Sequence, residues 1–218
     1  MISSSMVVLL VTFNRRLPVV MARTMFAPGI LWFCGIKLRV EGADKLAPQQ
    51  PYVFASNHLS YLDIPVLFAA IPHNLHFIAK ESIKYVPFIG WYMMATGMIF
   101  VDRSNRMKAK ESMNRAAKLV SKGKNILIFP EGARSRDGAM LPFKKGGFVL
   151  SQNAKVPVVP VAISGTEEVL KPDQWTIVPG KVSVRIGTPL EGQGLDSMAF
   201  AKRCQQEISI QHQALIHA

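Results

Sequence analysis

The hydrophobic and polar positions along the chain change period several times. Residues 6–13 are nearly all apolar, Arg15 and Arg16 interrupt them, and a second apolar stretch covers residues 17–36, broken by Arg23 and Pro28. From Lys37 onward short β-rich runs alternate with helical patterns. The runs predict strands over residues 37–41, 52–56, 75–79, 98–102, 125–129, 156–163 and 182–186. Among the helical patterns, residues 106–122 place Met113, Ala116, Ala117 and Val120 on one face and lysines on the other. Residues 196–217 repeat Phe200, Cys204 and Ile208 at four-residue spacing, and Gly123 predicts the end of the earlier helix. Strands alternating with helices predict an α/β fold, a mostly parallel twisted sheet flanked by helices. Pro157 and Pro160 restrict the run 156–163 to a sheet edge or an irregular strand. Without a repeat, linker or low-complexity segment, residues 37–218 read as one domain behind an N-terminal motif of residues 1–36.

That motif reads as a membrane attachment. Its positive charges follow the first apolar run instead of preceding it, which does not fit a secretory signal. A clean spanning helix needs ~20 predominantly apolar residues and a Lys/Arg bias to one side, whereas here Arg15 and Arg16 precede the second stretch and Lys37 and Arg39 follow it. Two short helices lying in one leaflet fit better, with Trp32 and Phe33 at the interface and Arg15, Arg16 and Arg23 on anionic headgroups. A core helix pair and a single tilted span are the alternatives.

Charge sharpens this picture. The 218 residues carry a formal +12, and the block 102–150 alone carries +8 while residues 151–218 sum to zero. Such a block suits anionic membranes, phosphorylated ligands, acidic proteins or nucleic acid. Hydrophobic residues at 49% against 18% charged exclude intrinsic disorder. Cys34 and Cys204 have no metal or redox spacing and read as reduced thiols. The pair His73-x-x-His76 lacks nearby Cys or acidic partners, so no metal is expected. A nucleophile elbow, a P-loop and a dinucleotide fingerprint are all missing from the sequence.

Candidate chemistry collects where strands run into polar residues, the place where ligands gather in such sheets. The run 52–56 leads into Asn57-His58-Leu-Ser60-Tyr-Leu-Asp63. Asn57 or Ser60 is expected to cap the next helix, and Asp63, one turn in, can fold back on His58. An imidazole paired to a carboxylate makes a general base. The run 125–129 leads into Pro130-Glu131-Gly132-Ala-Arg134-Ser135-Arg136, where arginines beside a glycine suit phosphate recognition. A third run ends in Val101-Asp102-Arg103. Each segment alone is matched by a bland reading, a capped loop histidine or a solvated turn.

Together, the blocks Asn57-His58-x-Ser-x-x-Asp63, Gly97-x-Ile-Phe-Val-Asp-Arg103, Phe129-Pro-Glu-Gly-Ala-Arg-Ser135 and Val156-Pro-Val-Val-Pro-Val161 resemble the PlsC-type glycerolipid acyltransferases over about residues 37–190. In particular they resemble the bacterial 1-acyl-sn-glycerol-3-phosphate acyltransferases, which acylate the 2-hydroxyl of lysophosphatidic acid from acyl carrier protein or coenzyme A thioesters. The resemblance implies phosphatidic acid formation in phospholipid biosynthesis with no metal and no cofactor beyond the thioester. It makes His58 the general base and Asp63 its orienting partner. Lys80, Arg103, Glu131, Gly132 and Arg134 then belong to the acceptor site, the basic residues on its phosphate. Lys144 and Lys145 either extend that basic rim or face solvent. Backbone amides in the turn 57–60 or near Gly132 are the candidate oxyanion donors. Partners implied are lysophosphatidic acid, the thioester and an anionic membrane surface, on the cytoplasmic face of the inner membrane. A sister O-acyltransferase acting on a lyso-ornithine lipid or glycerol 3-phosphate is the nearer alternative, and a basic nucleic-acid-binding protein the non-enzymatic one.

Overall fold

The structure is a computed structural model that describes residues 17–217 except 88, 103, 136, 137, 172, 173 and 175. The first expected N-terminal helix, Arg15, Arg16, Arg103 and Arg136 therefore lie outside the described residues.

All seven expected strands form, as β1 (Lys37–Glu41), β2 (Val53–Ser56), β3 (Leu75–Lys80), β4 (Ile99–Val101), β5 (Asn125–Ile128), β6 (Val158–Ser164) and β7 (Lys181–Ile186). They make one sheet in the order β1-β7-β6-β2-β5-β3-β4. Only the β6–β7 pair is antiparallel; the other pairs are parallel. One face is covered by α1 (Leu17–Met21), α2 (Ala27–Phe33), α3 (Asp63–Ala70) and α4 (Ile89–Ala95). The other face is covered by α5 (Arg106–Val120) and α6 (Gly146–Ala154), and α7 (Thr166–Val169) is a single turn after β6. The long α8 (Ser197–Ile216) also packs on this second face, through Phe200, Cys204 and Ile208.

This sandwich explains why the central strands read as unbroken apolar runs. Every residue of β2 and β5 is buried, because a parallel sheet covered on both sides has no solvent face. Phe54 joins the layer of Leu67 and Ile71, while its neighbours Val53 and Ala55 join that of Phe148 and Phe200. Asn105 and Asp196 cap the amphipathic α5 and α8 through their side-chain oxygens.

Of the two expectations for the run 156–163, a sheet edge or an irregular strand, the edge is wrong. The strand β6 lies between β7 and β2, inside the sheet. Pro160 pairs with Ala55 of β2 in register and accepts from the Gly187 amide through its carbonyl at 2.8 Å. Its missing donor thus falls on the side where β7 has already ended at Ile186, and the ladder with β2 loses nothing. Leu190 resumes that side by exchanging both backbone bonds with Val158.

The segment 17–33 is one continuous helical run in which a π-helical turn (Ala22–Phe26) joins α1 to α2. Pro28 explains the widening: it has no N–H and its ring would crowd the carbonyl one turn back, so the Ala27 amide reaches to Ala22 instead. Val19, Ala27 and Leu31 are buried, and the Tyr92 hydroxyl of α4 donates to the Pro18 carbonyl at 3.0 Å. The opposite side is bare, with Trp32 84% and Phe33 78% exposed. Among the described residues no helix is long and apolar enough to cross a membrane.

Candidate active site

Because β2, β3, β4, β5 and β6 run parallel, their carboxyl ends share one edge, and the polar residues singled out above gather there. As the chain leaves β2, the buried Asn57 amide pairs with Ile163 of β6 like one more rung: its Oδ1 accepts from the Ile163 N–H and its Nδ2 donates to the Ile163 carbonyl, both at 2.9 Å. Asn57 is therefore a bridge and not the expected helix cap. Ser60 is the one that serves the entry to α3: its Oγ accepts from the Leu62 N–H at 3.4 Å while its hydroxyl donates to the Leu170 carbonyl at 2.9 Å.

His58 is gripped on four sides. Its N–H donates to Glu131 Oε1 at 2.7 Å, and its carbonyl accepts from the Ser135 N–H at 2.8 Å. Its ring stacks on Phe129 with centroids 4.0 Å apart and planes 17° from parallel. Nδ1 meets Asp63 Oδ2 at 2.8 Å. A carboxylate partner requires Nδ1 to carry the proton, which leaves Nε2 with the lone pair. The His58 side chain keeps 16% of its surface open, whereas that of Asp63 keeps none.

Asp63 opens α3, where the helix amides favour negative charge. Its Oδ2 also accepts from the Leu59 and Ser60 amides at 2.7 and 3.0 Å, and its Oδ1 accepts from the Thr166 hydroxyl. Four donors thus meet this buried carboxylate, so burial leaves neither of its oxygens unpaired. Four of the expected oxyanion donors are occupied: the amides of His58, Leu59 and Ser60 bond to Glu131 and Asp63, and that of Gly132 bonds to the Phe129 carbonyl.

Glu131 is 3% exposed, and its second oxygen accepts from the Leu141 amide at 2.8 Å. Burial raises its pKa, and the bonds from Leu141 and His58 pull it partly back. Both oxygens thus fasten backbone, so the carboxylate ties the His58 turn to the 131–141 loop. Gly132 sits at φ +78°, and a Cβ there would come within 2.7 Å of Lys144 Nζ. The left-handed backbone calls for glycine, and the missing side chain lets the Lys144 ammonium lie against it. Arg134 reaches the same turn, its guanidinium carbon 3.6 Å from the centre of the Tyr61 ring.

Lys80 ends β3 and is exposed. It lies two strands from β2, roughly 10 Å away at ~4.8 Å per strand. Asp102, which follows β4, is held below the usual carboxylate range by Ser104 and then by Lys108. Arg103 lies outside the described residues. So the structure brings together His58, Asp63, Glu131, Gly132, Arg134 and Lys144, and places Lys80 along the same edge but apart.

The sequence reading missed Thr166 and Tyr61. Thr166 is 103 positions from Asp63. The available signal was its position right after Gly165 at the carboxyl end of β6. Glu167, next to it, bonds the Gly165 amide at 3.1 Å, and burial followed by the Asp63 charge raises its pKa.

Residues 37–164 match the Acyltransferase family. The chain belongs to this family. Among acyltransferases of known description, the 1-acyl-sn-glycerol-3-phosphate acyltransferase of Saccharomyces cerevisiae is 42% identical over 74% of this chain and 54% of its own length. The alpha form from Homo sapiens is 33% identical over 82% of this chain and 65% of its own. The chain thus spans between half and two thirds of the length of these two relatives. The crystal structure of the 1-acyl-sn-glycerophosphate acyltransferase PlsC from Thermotoga maritima superposes with a TM-score of 0.84 at 27% identity, covering 97% of this chain and 88% of that one. The similar acyltransferases come from a fungus, a mammal and a bacterium, so they do not single out a bacterial source.

Proposed function

We propose that the chain transfers a fatty acyl group from an acyl carrier protein or coenzyme A thioester to the 2-hydroxyl of 1-acyl-sn-glycerol 3-phosphate, forming phosphatidic acid. The observation that carries this reading is the His58–Asp63 pair, 2.8 Å apart at the carboxyl edge of the sheet. The names of the relatives supply the substrate class.

The chemistry follows from the pair. An alcohol is essentially un-ionised at neutral pH, so the reaction needs a base at the moment of attack. His58 Nε2 takes the hydroxyl proton as the acceptor oxygen attacks the thioester carbonyl. The tetrahedral intermediate collapses, the C–S bond breaks, and the leaving thiolate takes the proton back from His58. Asp63 holds the Nδ1–H tautomer and steadies the transient imidazolium. No acyl-enzyme forms, and no cofactor is called for. Arg134 and Lys144, with Lys80 farther along the edge, supply positive charge for the acceptor phosphate, and Arg103 adds to it in this reading.

Residues 1–36 are the membrane attachment in this reading, and residues 37–218 the catalytic unit, monotopic or peripheral on the cytoplasmic face of the inner membrane. The support is where apolar side chains stand in the open. Trp32 and Phe33 precede β1, Tyr85 and Val86 follow β3, and Val178 precedes β7, all flanking the edge that carries His58. A mouth opening onto lipid spares the acceptor an extraction cost of about 0.8 kcal/mol per CH₂.

The test is turnover by the purified chain with a panel of acceptors and both thioesters. Phosphatidic acid from lysophosphatidic acid is the expected product. Preferential acylation of glycerol 3-phosphate or a lyso-ornithine lipid would replace the acceptor. In parallel, removing residues 1–36 should release the chain from anionic vesicles and cut turnover of vesicle-borne acceptor far more than of a short-chain soluble one. A truncated chain that still sediments with such vesicles contradicts the attachment.

A further inference from the structure

At the opposite edge of the sheet, the amino ends of β3 and β5, lies a cavity of about 290 Å³. Its polar lining includes Arg23 from the π turn, His73 and Asn74 from the approach to β3, His76 at the start of β3, and Lys122 and Lys124 from the approach to β5. Four buried polar atoms of these residues have no hydrogen-bond partner: Arg23 Nε, His73 Nδ1, Asn74 Oδ1 and His76 Nδ1. His73 is 6% and His76 4% exposed, so both rings are more than nine-tenths buried. Native proteins rarely leave such groups unpaired, and each one asks what would satisfy it. Arg23 Nε can only donate and Asn74 Oδ1 can only accept, so a single ligand that satisfies both must offer an acceptor oxygen and an O–H, as hydrogen phosphate does.

The charge around the cavity selects the ligand. Three fixed cations line it and no carboxylate does. A divalent metal ion would be repelled despite the two imidazoles, and the described residues contain no cluster of metal-ligating side chains. Arg23 Nε is a donor and can be satisfied only by an acceptor. His73 Nε2 is already committed to the Ala47 carbonyl at 3.1 Å, so a proton arriving on that ring must sit on Nδ1 and becomes a second donor. Burial is the main cause lowering the pKa of both imidazoles; Lys124 adds to it at His76 and Arg23 at His73, while the backbone of Asn125 and of Ala47 opposes it. An anion in the cavity would reverse the cations' part of that effect.

We propose that this cavity is a second oxyanion site, taking a phosphate group, free or carried on a lipid head, at the sheet edge opposite His58. A bound phosphate joins Arg23 on the N-terminal helical run to the lysines and the histidines of the sheet. It therefore pins the lipid-facing run to the catalytic unit by ordinary linkage. Nothing in this inference depends on the reaction at His58.

Nitrogen-detected NMR of the imidazoles in the full chain reads the site directly. The chain has five histidines, and the signals of the two in question are assigned by their loss in His73→Gln and His76→Gln. Inorganic phosphate, with sodium chloride at matched ionic strength as control, should move the His76 ring nitrogens toward the protonated pattern and saturate. Arg23→Gln should weaken that response about ten-fold or more, the loss of one charge-assisted bond. Lys122→Gln, on the exposed rim, tests the same point in a chain whose buried rings are untouched. Response to inorganic phosphate identifies a soluble phosphorylated ligand as the source. Response only to phosphatidylcholine nanodiscs containing phosphatidic acid identifies a lipid head. The proposal is overturned if neither moves the rings, if Zn²⁺ moves them and phosphate does not, or if Arg23→Gln and Lys122→Gln both bind phosphate as the parent does.

Discussion

Glu131→Gln separates two roles that sequence resemblance leaves merged, contact with the acceptor and support of the base. In the structure the two oxygens of Glu131 accept from backbone, the amides of His58 and Leu141. The substitution keeps size and places an NH₂ group against one of these two donors. One charge-assisted bond is lost, worth ~1.5–3 kcal/mol, and a buried N–H is left unpaired. If the His58 amide is the one released, the ring still has Asp63, Phe129 and the Ser135 contact to hold it, so it is displaced and not freed. At about 1.4 kcal/mol per decade, the reacting geometry should become some 10- to 100-fold rarer. That loss should fall on kcat with the acceptor KM nearly unchanged, together with a drop in unfolding free energy of the same order. The assay is steady-state turnover against varied acceptor, paired with denaturant unfolding of the same preparations. A ten-fold rise in acceptor KM at constant kcat would refute the reasoning, because it would put the Glu131 carboxylate on the acceptor.

Other consequences are as direct. Asp63→Asn should lower kcat by about 10²–10⁴, because an amide can hold the ring but cannot stabilise its charged form; a kcat within a factor of three of the parent contradicts the pairing. Thr166→Val removes one donor from Asp63 at nearly constant volume and should cost about 1 kcal/mol of stability and several-fold in kcat, with Thr166→Ser restoring both. Arg134→Ala should raise the KM for a phosphorylated acceptor about 10- to 100-fold and leave the thioester KM alone; the reverse pattern moves Arg134 to the donor. Burial, then Lys124, lowers the pKa of His76 from 6.5 to about 4. The unfolded chain therefore takes up this proton first, and stability falls as pH drops from about 6.5 to 4, by on the order of 3 kcal/mol from this group. His76→Gln should flatten that part of the profile, read by denaturant unfolding at pH 7 and pH 4.5.

What could be read before folding, and what could not, follows physical lines. Strands buried on both faces announce themselves as apolar runs, so β2 and β5 were legible from Val53–Ser56 and Asn125–Ile128. Pro160 misled because the rule against proline in a central strand concerns its missing donor. Where that donor would point depends on β7 ending at Ile186, a tertiary fact. At the site, His58 and Asp63 were legible since five residues across a turn suffice to fold one onto the other. Thr166, the bridge from Asn57 to Ile163 and the Arg134–Tyr61 stack come from segments far apart in the chain, and only sheet order brings them together. The role of Glu131 was hidden for a different reason: its motif marks it as polar and near the site, but its partners are backbone amides that carry no side-chain signature.

The central claim is that His58 Nε2 is the base for acyl transfer to a phosphorylated lysolipid. Its most direct test is single-turnover formation of phosphatidic acid from lysophosphatidic acid and a labelled thioester, by the parent chain and by His58→Ala shown to be folded by its unfolding transition. The account predicts product from the parent, a rate lowered at least 10²-fold in the variant, and no label covalently retained on either protein. A folded His58→Ala chain that forms product at the parent rate, or a parent chain that carries the acyl label before acceptor is added, would contradict it.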